Sequence, residues 1–241
     1  MCVIFIAYNV RRDYPLVLLA NRDEFYSRLA ESARRWGDDP NILAGRDSVS
    51  GGTWLGVADS GRFAAVTNYR DPNGPKGKTS RGSLVADFLR SRVSAADYLA
   101  VIHKNADEFT GFSLLAGEIN AQTNELYYYS NRRSTVEKLM SGIYGLSNKF
   151  LDTPWPKIEK GKLAMSKTLD NKTIANDSLF EILLDETLAE DADLPDTGIG
   201  YEREKMLSAI FIKTPDYGTR CSTVLKFDAA FNFEFEERVF V

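Results

Sequence analysis

Apolar and polar positions along the 241-residue chain alternate in blocks that switch between a two-residue and a helical period. The first apolar block, Val3-Ile4-Phe5-Ile6-Ala7-Tyr8, is followed by a second from Leu16 to Ala20. Residues 2–9 and 16–22 read as two strands joined by a polar turn, with Pro15 at the strand entrance, where a missing N–H is tolerated. Residues 25–51 show no steady period and read as irregular. Thr53 to Ala58 and Arg62 to Asn68 flank Asp59-Ser60-Gly61, a good turn sequence, and form a hairpin. After a Gly- and Pro-rich loop at 71–79, Ser80 and Ser94 stand as caps of helices reaching about Arg92 and about Glu108.

Past Gly111 the strand pattern returns at Phe112 to Ile119, Glu125 to Ser130, Thr135 to Leu139 and Gly142 to Asn148. A helix follows over 155–168, with Pro156 in its first turn, and further helices fall at 178–189 and 202–212. Ser222 to Phe227 and Phe233 to Phe240 close the chain as a strand pair around a turn at 228–232. The acidic run Asp185 to Asp196 reads as a solvated helix end and loop. Hairpins dominate and no βαβ alternation is present. The expected class is therefore α+β, with antiparallel sheets and helices grouped on their outer faces. No linker, repeat or low-complexity segment divides the chain, which is expected to form a single domain over 1–241.

Composition narrows the function. A hydrophobic share of 44% supports a substantial core, and a net charge of -4 with scattered Lys and Arg gives no reason to bind nucleic acid. Cys2 and Cys221 are too far apart for a CxxC metal knuckle and suit a reducing compartment. The single histidine, His103, argues against His-rich metal sites and a Ser-His-Asp triad, and reads as structural. No metal and no cofactor are expected. The N-terminal apolar run lacks a basic flank, and no stretch approaches the roughly 20 apolar residues of a membrane span. A cytoplasmic protein acting on a small molecule is expected; its oligomeric state is not legible.

The chemistry begins at Cys2. A small residue after Met1 favours removal of the initiator, which leaves thiol and α-amine on one residue. The amine (pKa about 8) can take the proton of a thiol (pKa about 8.5). By itself, Cys2 reads better as a small buried core residue, the usual place of a free cysteine. The second strand ends in Asn21-Arg22-Asp23-Glu24, and hairpin pairing sets Cys2 beside Arg22 and Asp23. The arginine would favour thiolate, and the carboxylate would hold the amine. Asn68 and Asn148 each end a strand and could donate to an oxyanion, although either alone reads as a turn former. Trp54, Trp36 and Tyr69 are aromatic residues suited to a substrate pocket or to the core. Gly51-Gly52 would allow close approach of backbone to a ligand or a simple bend, and Ser80-Arg81-Gly82 would bind an anion or only cap a helix.

Met1-Cys2, Asn21-Arg22-Asp23-Glu24, Gly45-Arg46-Asp47, Gly51-Gly52-Thr53-Trp54-Leu55-Gly56, Thr67-Asn68, Ser80-Arg81-Gly82, Leu146-Ser147-Asn148 and Gly218-Thr219-Arg220 run in this order from end to end. Together they resemble the NRDE family, which includes the transport and Golgi organisation protein 2 of animals. More distantly, the chain is similar to N-terminal-nucleophile cysteine hydrolases of the choloylglycine hydrolase and penicillin V acylase type. Gly56, Gly61 and Asn68 repeat their Gly-x-x-x-x-Gly-x-x-x-x-x-Asn hairpin with one residue more, and Leu146-Ser147-Asn148 matches their second asparagine.

This resemblance implies a four-layer αββα sandwich of two antiparallel sheets with Cys2 at its edge. It implies catalytic roles for Cys2, Arg22, Asp23, Asn68 and Asn148; a site there would put Trp54 and Tyr69, as aromatic residues near it, in the position of substrate-binding candidates. It also implies a later active-site arginine, for which Arg220, in Gly218-Thr219-Arg220, and Arg203 both stand. The implied activity is hydrolysis or acyl transfer on a small amide or thioester. The alternative is a non-catalytic carrier of haem or of a lipid or acyl ligand in trafficking or homeostasis.

Overall fold

The structure is a computed structural model that describes residues 2–241. The expected removal of Met1 concerns a residue outside them. The strands are β1 (Cys2–Tyr8), β2 (Leu16–Phe25), β3 (Ala30–Arg35), β4 (Ile42–Asp47), β5 (Leu55–Ala58) and β6 (Arg62–Asn68), then α1 (Gly82–Arg90) and α2 (Ala95–Lys104). β7 (Phe112–Ile119), β8 (Asn124–Ser130), β9 (Val136–Lys138) and β10 (Gly142–Leu146) follow. The chain ends with α3 (Pro156–Leu169), α4 (Asn176–Leu183), α5 (Tyr201–Met206), β11 (Tyr217–Phe227) and β12 (Phe233–Val239).

Two antiparallel sheets result, with strand orders β10-β1-β2-β11-β12 and β3-β4-β5-β6-β7-β8-β9. Alternation along each strand explains the layering. Ile4, Leu18 and Leu225 of the first sheet meet Val57, Phe63 and Leu115 of the second in an apolar interlayer. The other faces are covered as well. Ala64, Val66 and Leu114 pack under Leu84, Phe88 and Leu99 of α1 and α2. Val3, Phe5 and Leu19 pack under Ile158, Met165 and Phe180 of α3 and α4. Strands buried on both faces read as apolar runs, which is why β1 and β2 are conspicuous in the sequence.

Several elements depart from the sequence pattern. The stretch 25–51 contains β3 and β4, although β3, Ala-Glu-Ser-Ala-Arg-Arg, carries almost no apolar signal. β3 is an edge strand, and edge strands tolerate charge on both faces. The helix capped by Ser94 stops at Lys104, and Ser94 Oγ accepts from the Asp97 N–H at 3.1 Å. Ser80 does not cap α1 in the expected manner; the N-cap position is Arg81, while Ser80 Oγ accepts from the Gly82 N–H at 3.3 Å. α4 and α5 end earlier than expected, at Leu183 and Met206, and β11 begins earlier, at Tyr217. No helix among the described residues is long and apolar enough to cross a membrane.

Candidate active site

Register builds the site. β1 sets Cys2 opposite Arg22 on β2, and β11 sets Cys221 opposite Arg22 from the other side. Arg22 continues the inward face of Leu18 and Ala20, whereas Asp23 continues the outward face of Leu19 and Asn21. Asn21 is spent on structure: its Nδ2 donates to the carbonyls of Leu183 at 2.8 Å and Ile210 at 3.0 Å.

A cavity of about 400 Å³ opens beside Cys2, and of the expected residues Cys2, Arg22, Asp23, Asn68 and Trp54 line it. The Arg22 guanidinium carbon lies 4.2 Å from the centre of the Trp54 ring, and its Nη2 lies 3.8 Å from Asp47 Oδ2. Trp54 reaches this position across Gly45, where a Cβ would fall 2.3 Å from the indole. Asp47 accepts from Arg28 Nε at 2.7 Å and from the Val49 and Ser50 N–H groups at 3.0 Å each. Burial pushes Asp47 upward, but the bonds from Arg28 and Ser50 outweigh it and hold the carboxyl below its usual range. The close approach permitted at Gly52 is to the backbone of Gly82, where α1 begins, and the Thr53 N–H donates to the Gly82 carbonyl at 3.2 Å.

The electrostatics differ from the sequence expectation. Burial pushes the Cys2 thiol up, and Asp23 adds to this; the Asp23 backbone N–H and Arg22 offset only part of it. The resting group is therefore a thiol, not a preformed thiolate. Burial also raises the Asp23 carboxyl to about 6, against the opposing influence of Lys157, the Thr219 hydroxyl and Arg22. Thr219 Oγ1 donates to Asp23 Oδ1 at 2.7 Å, and the Tyr217 hydroxyl donates to the Asp23 carbonyl at 3.1 Å.

The two asparagines are directly joined, with Asn148 Nδ2 donating to the Asn68 carbonyl at 3.0 Å. Asn148 is fully buried, and the Ser147 hydroxyl beside it donates to the Cys2 carbonyl at 3.1 Å. Thr67 Oγ1 donates to the Ser147 carbonyl at 2.7 Å, and the Arg70 N–H donates to the Asn148 carbonyl at 2.7 Å. Asn68 meets the cavity and Asn148 braces Asn68 from behind.

Other expected residues lie elsewhere. Tyr69 is not among the lining residues; its ring centre is 5.0 Å from that of Phe150, and Lys149 Nζ lies 4.9 Å above it. Trp36 is core, with Nε1 donating to the Ala44 carbonyl at 3.1 Å. Arg220 follows Thr219 across a break in register and donates to the Arg28 carbonyl. It walls a separate small cavity with Cys221 and Glu237, on the far side of Arg22 and Trp54, which wall both. Arg203 is exposed on α5. His103 lies in the last turn of α2 and meets the Tyr129 hydroxyl at 3.1 Å.

The cavity's arginines are instead Arg22, Arg28 and Arg81. Burial lowers Arg81 and the proximity of Cys2 opposes that shift; its Nη1 donates to the Gly111 carbonyl at 3.2 Å. Ser80-Arg81-Gly82 stands out in the sequence, but a helix start explains it equally well. Arg28 sits in the stretch that shows no period. No histidine, methionine or tyrosine lines the cavity among the described residues.

The family model for Transport and Golgi organisation 2 matches residues 1–241. The chain belongs to this family. Its relatives include the Transport and Golgi organization protein 2 homologs of Homo sapiens and Bos taurus. They are 37% and 36% identical, each over 99% of this chain and 92% of its own length. The Drosophila melanogaster family member is 30% identical over 67% of this chain and 62% of its own length. Among solved structures, the Caenorhabditis elegans ortholog of N-acylethanolamine-hydrolyzing acid amidase superposes with a TM-score of 0.54 at 10% identity, covering 95% of this chain and 93% of its own. A mutant conjugated bile acid hydrolase from Clostridium perfringens superposes with a TM-score of 0.56 at 8% identity, covering 99% of this chain and 92% of its own. At these identities the likeness is one of fold: this family member has the two-sheet sandwich of the N-terminal-nucleophile hydrolases.

Proposed function

We propose that the protein is an N-terminal-nucleophile cysteine hydrolase or acyltransferase for a small amide or thioester. The observation that carries this is Cys2 at the open end of β1, opposite Arg22, in a cavity that Asn68 also lines. The fold shared with an acid amidase and a bile acid hydrolase supports it. After removal of Met1, the α-amine of Cys2 takes the thiol proton as Sγ bonds to the substrate carbonyl carbon. Asn68 donates to the oxyanion, and Asn148 fixes Asn68 through its carbonyl. Collapse breaks the bond to the leaving amine or thiol, which takes the proton back from the ammonium. Water, or an acceptor amine, then attacks the thioester and gives its proton to the same α-amine; collapse breaks the C–Sγ bond, releases the acid or the new amide, and returns that proton from the ammonium to Sγ. Asp23 holds the ammonium, and the raised thiol suits a nucleophile that is deprotonated only during attack.

The test has two parts. Intact mass of untagged protein expressed from its own start codon should lack Met1, and a retained Met1 removes the α-amine as base. Cys2→Ala and Cys2→Ser should abolish turnover across a panel of small amides and thioesters while the fold survives. Unchanged turnover in both variants would sink the proposal.

A second reading is a non-catalytic carrier of haem or of a lipid or acyl ligand; the family's description, transport and Golgi organisation, is compatible with it and names no ligand. The lining residues leave Cys2 as the side chain with ordinary haem-ligating chemistry. A Soret shift lost only in Cys2→Ala supports this reading, and no shift in the wild type removes it.

A further inference from the structure

One wall of the Cys2 cavity is cationic, and the proposed reaction leaves it unused. Lys78, Thr79, Ser80 and Arg81 line it from the segment that leads into α1, and Thr110 lines it as well. Hydrogen bonds pin this segment at intervals. The Gly77 N–H donates to Thr110 Oγ1 at 2.9 Å, and the Thr79 N–H donates to the Glu108 carbonyl at 2.9 Å. Arg81 Nη1 donates to the Gly111 carbonyl at 3.2 Å, and the Thr53 N–H donates to the Gly82 carbonyl at 3.2 Å. The wall is therefore set before a ligand arrives, which lowers the entropic cost of binding one.

Arg81 is a part-buried cation with no matching carboxylate. Among the described residues no carboxylate oxygen lies within 4 Å of its guanidinium, and its hydrogen bond goes to a neutral carbonyl. Nε and Nη2 make no hydrogen bond among the described residues. That leaves the flat Nε–Nη2 edge of the fork for two oxygens of one anion. Burial works against the charge, and Cys2 and Glu24, which also line the cavity, work for it. The cavity's other arginines are engaged. Arg28 Nε lies 2.7 Å from Asp47, and Arg22 is stacked on Trp54 with Asp47 at 3.8 Å. Glu24 accepts from the Phe25 N–H at 2.9 Å and has no cation within 4 Å among the described residues. The backbone at the start of α1 is not the source of this site. The Gly82 N–H donates to Ser80 Oγ at 3.3 Å and the Ser83 N–H to the Ser80 carbonyl at 3.2 Å, so the donors left for an anion are side chains.

We infer that Arg81, with Lys78 and the hydroxyls of Thr79 and Ser80, is an anion subsite of the cavity and takes a carboxylate or phosphate on the ligand that meets Cys2. At about 400 Å³ the cavity has room for a scissile group and an anion together. The substrate class thereby narrows to small amides or thioesters that carry such a group. That narrowing rests on the hydrolase proposal; the anion subsite does not.

The experiment is isothermal calorimetry at pH 7 on the full chain carrying Cys2→Ala, which keeps every probe intact. N-acetylglycine and N-acetyl-O-phosphoethanolamine are the carboxylate and phosphate probes, and N-acetylglycinamide and N-acetylethanolamine are their uncharged counterparts. One of the two anions should bind about tenfold or more tightly than its counterpart, and its identity names the group. Arg81→Gln should abolish that preference, and Arg81→Lys should keep part of it. Glu24→Gln should tighten binding of the preferred anion by removing a like charge. No preference for either anion overturns the inference, as does a preference that survives Arg81→Gln. If Arg81→Gln does not fold, an unchanged anion affinity in Glu24→Gln overturns it. None of these measurements needs turnover, so a failure here leaves the hydrolase proposal standing, and a wild-type protein that hydrolyses nothing leaves the subsite standing.

Discussion

Arg22 and Asp23 are consecutive on β2 and serve opposite faces of the same sheet. Arg22 turns into the interlayer, where its guanidinium stacks on Trp54 at 4.2 Å. Asp23 turns outward, where Thr219 donates to it at 2.7 Å under the α3 and α4 layer. Strand alternation lets one short sequence serve two environments. Cys2, at the end of the neighbouring strand, stands between them.

Asp23 should make stability depend on pH in an unusual sense. Its folded value of about 6 lies above the ordinary 3.8, so ionisation costs more in the folded chain than in the unfolded one. That cost is absent below the unfolded value and fully present above the folded one. Asp23→Asn should therefore gain stability relative to wild type, by about 3 kcal/mol, as pH is raised from about 4 to about 7. Urea unfolding of both proteins at the two pH values checks it; a constant difference contradicts it.

The Arg70–Glu204 pair should be costly to halve. Both side chains are buried at a separation of 2.6 Å. Glu204→Leu leaves the Arg70 charge without its carboxylate and should lower stability by about 3–5 kcal/mol. Arg70→Met combined with Glu204→Leu should recover most of that loss, measured by the same denaturation.

Gly45 should not accept a side chain. A Cβ at this position would sit 2.3 Å from Trp54, whose ring also carries the Arg22 guanidinium. Gly45→Ala should displace the indole and cost about 1–3 kcal/mol through overpacking. A change in tryptophan fluorescence accompanied by loss of stability is expected, and an unchanged spectrum would show that β4 has room to shift.

Cys2 should alkylate slowly at neutral pH. Burial raises its thiol, so the thiolate fraction is smaller than in a free cysteine. In a Cys221→Ser background, iodoacetamide should label the folded protein more slowly at pH 7 than the urea-unfolded chain. Faster labelling of the folded protein would mean that Arg22 outweighs desolvation.

The Cys2–Arg22 pairing was legible because two apolar runs around a polar turn admit little freedom of register. Asn68 and Asn148 were legible as strand-end residues, but not the direct bond between them, which requires the two sheets to be stacked. β3 escaped notice because an edge strand needs no apolar alternation. The arginine of the Gly218-Thr219-Arg220 motif turns to the far side of Trp54 through a local break in register, which has no marker in the residues. Nothing in the sequence pairs Arg70 with Glu204, because the partners are 134 positions apart and both look like surface residues.

The bonds from Thr67 to Ser147, from Asn148 to Asn68 and from Arg70 to Asn148 all cross from the end of one sheet to the other. Between the sheets the boundary is mostly apolar and without direction, and apolar contact alone would tolerate a small slide of one sheet over the other; Tyr8 to Asn124 and Ala33 to Glu237 tie the sheets again farther away. Hydrogen bonds at one end do not. Layer registry and the spacing between Cys2 and Asn68 are thus a single mechanical coordinate. A core substitution far from the cavity that shifts one sheet by a fraction of an ångström would move the nucleophile relative to its oxyanion donor by a comparable amount.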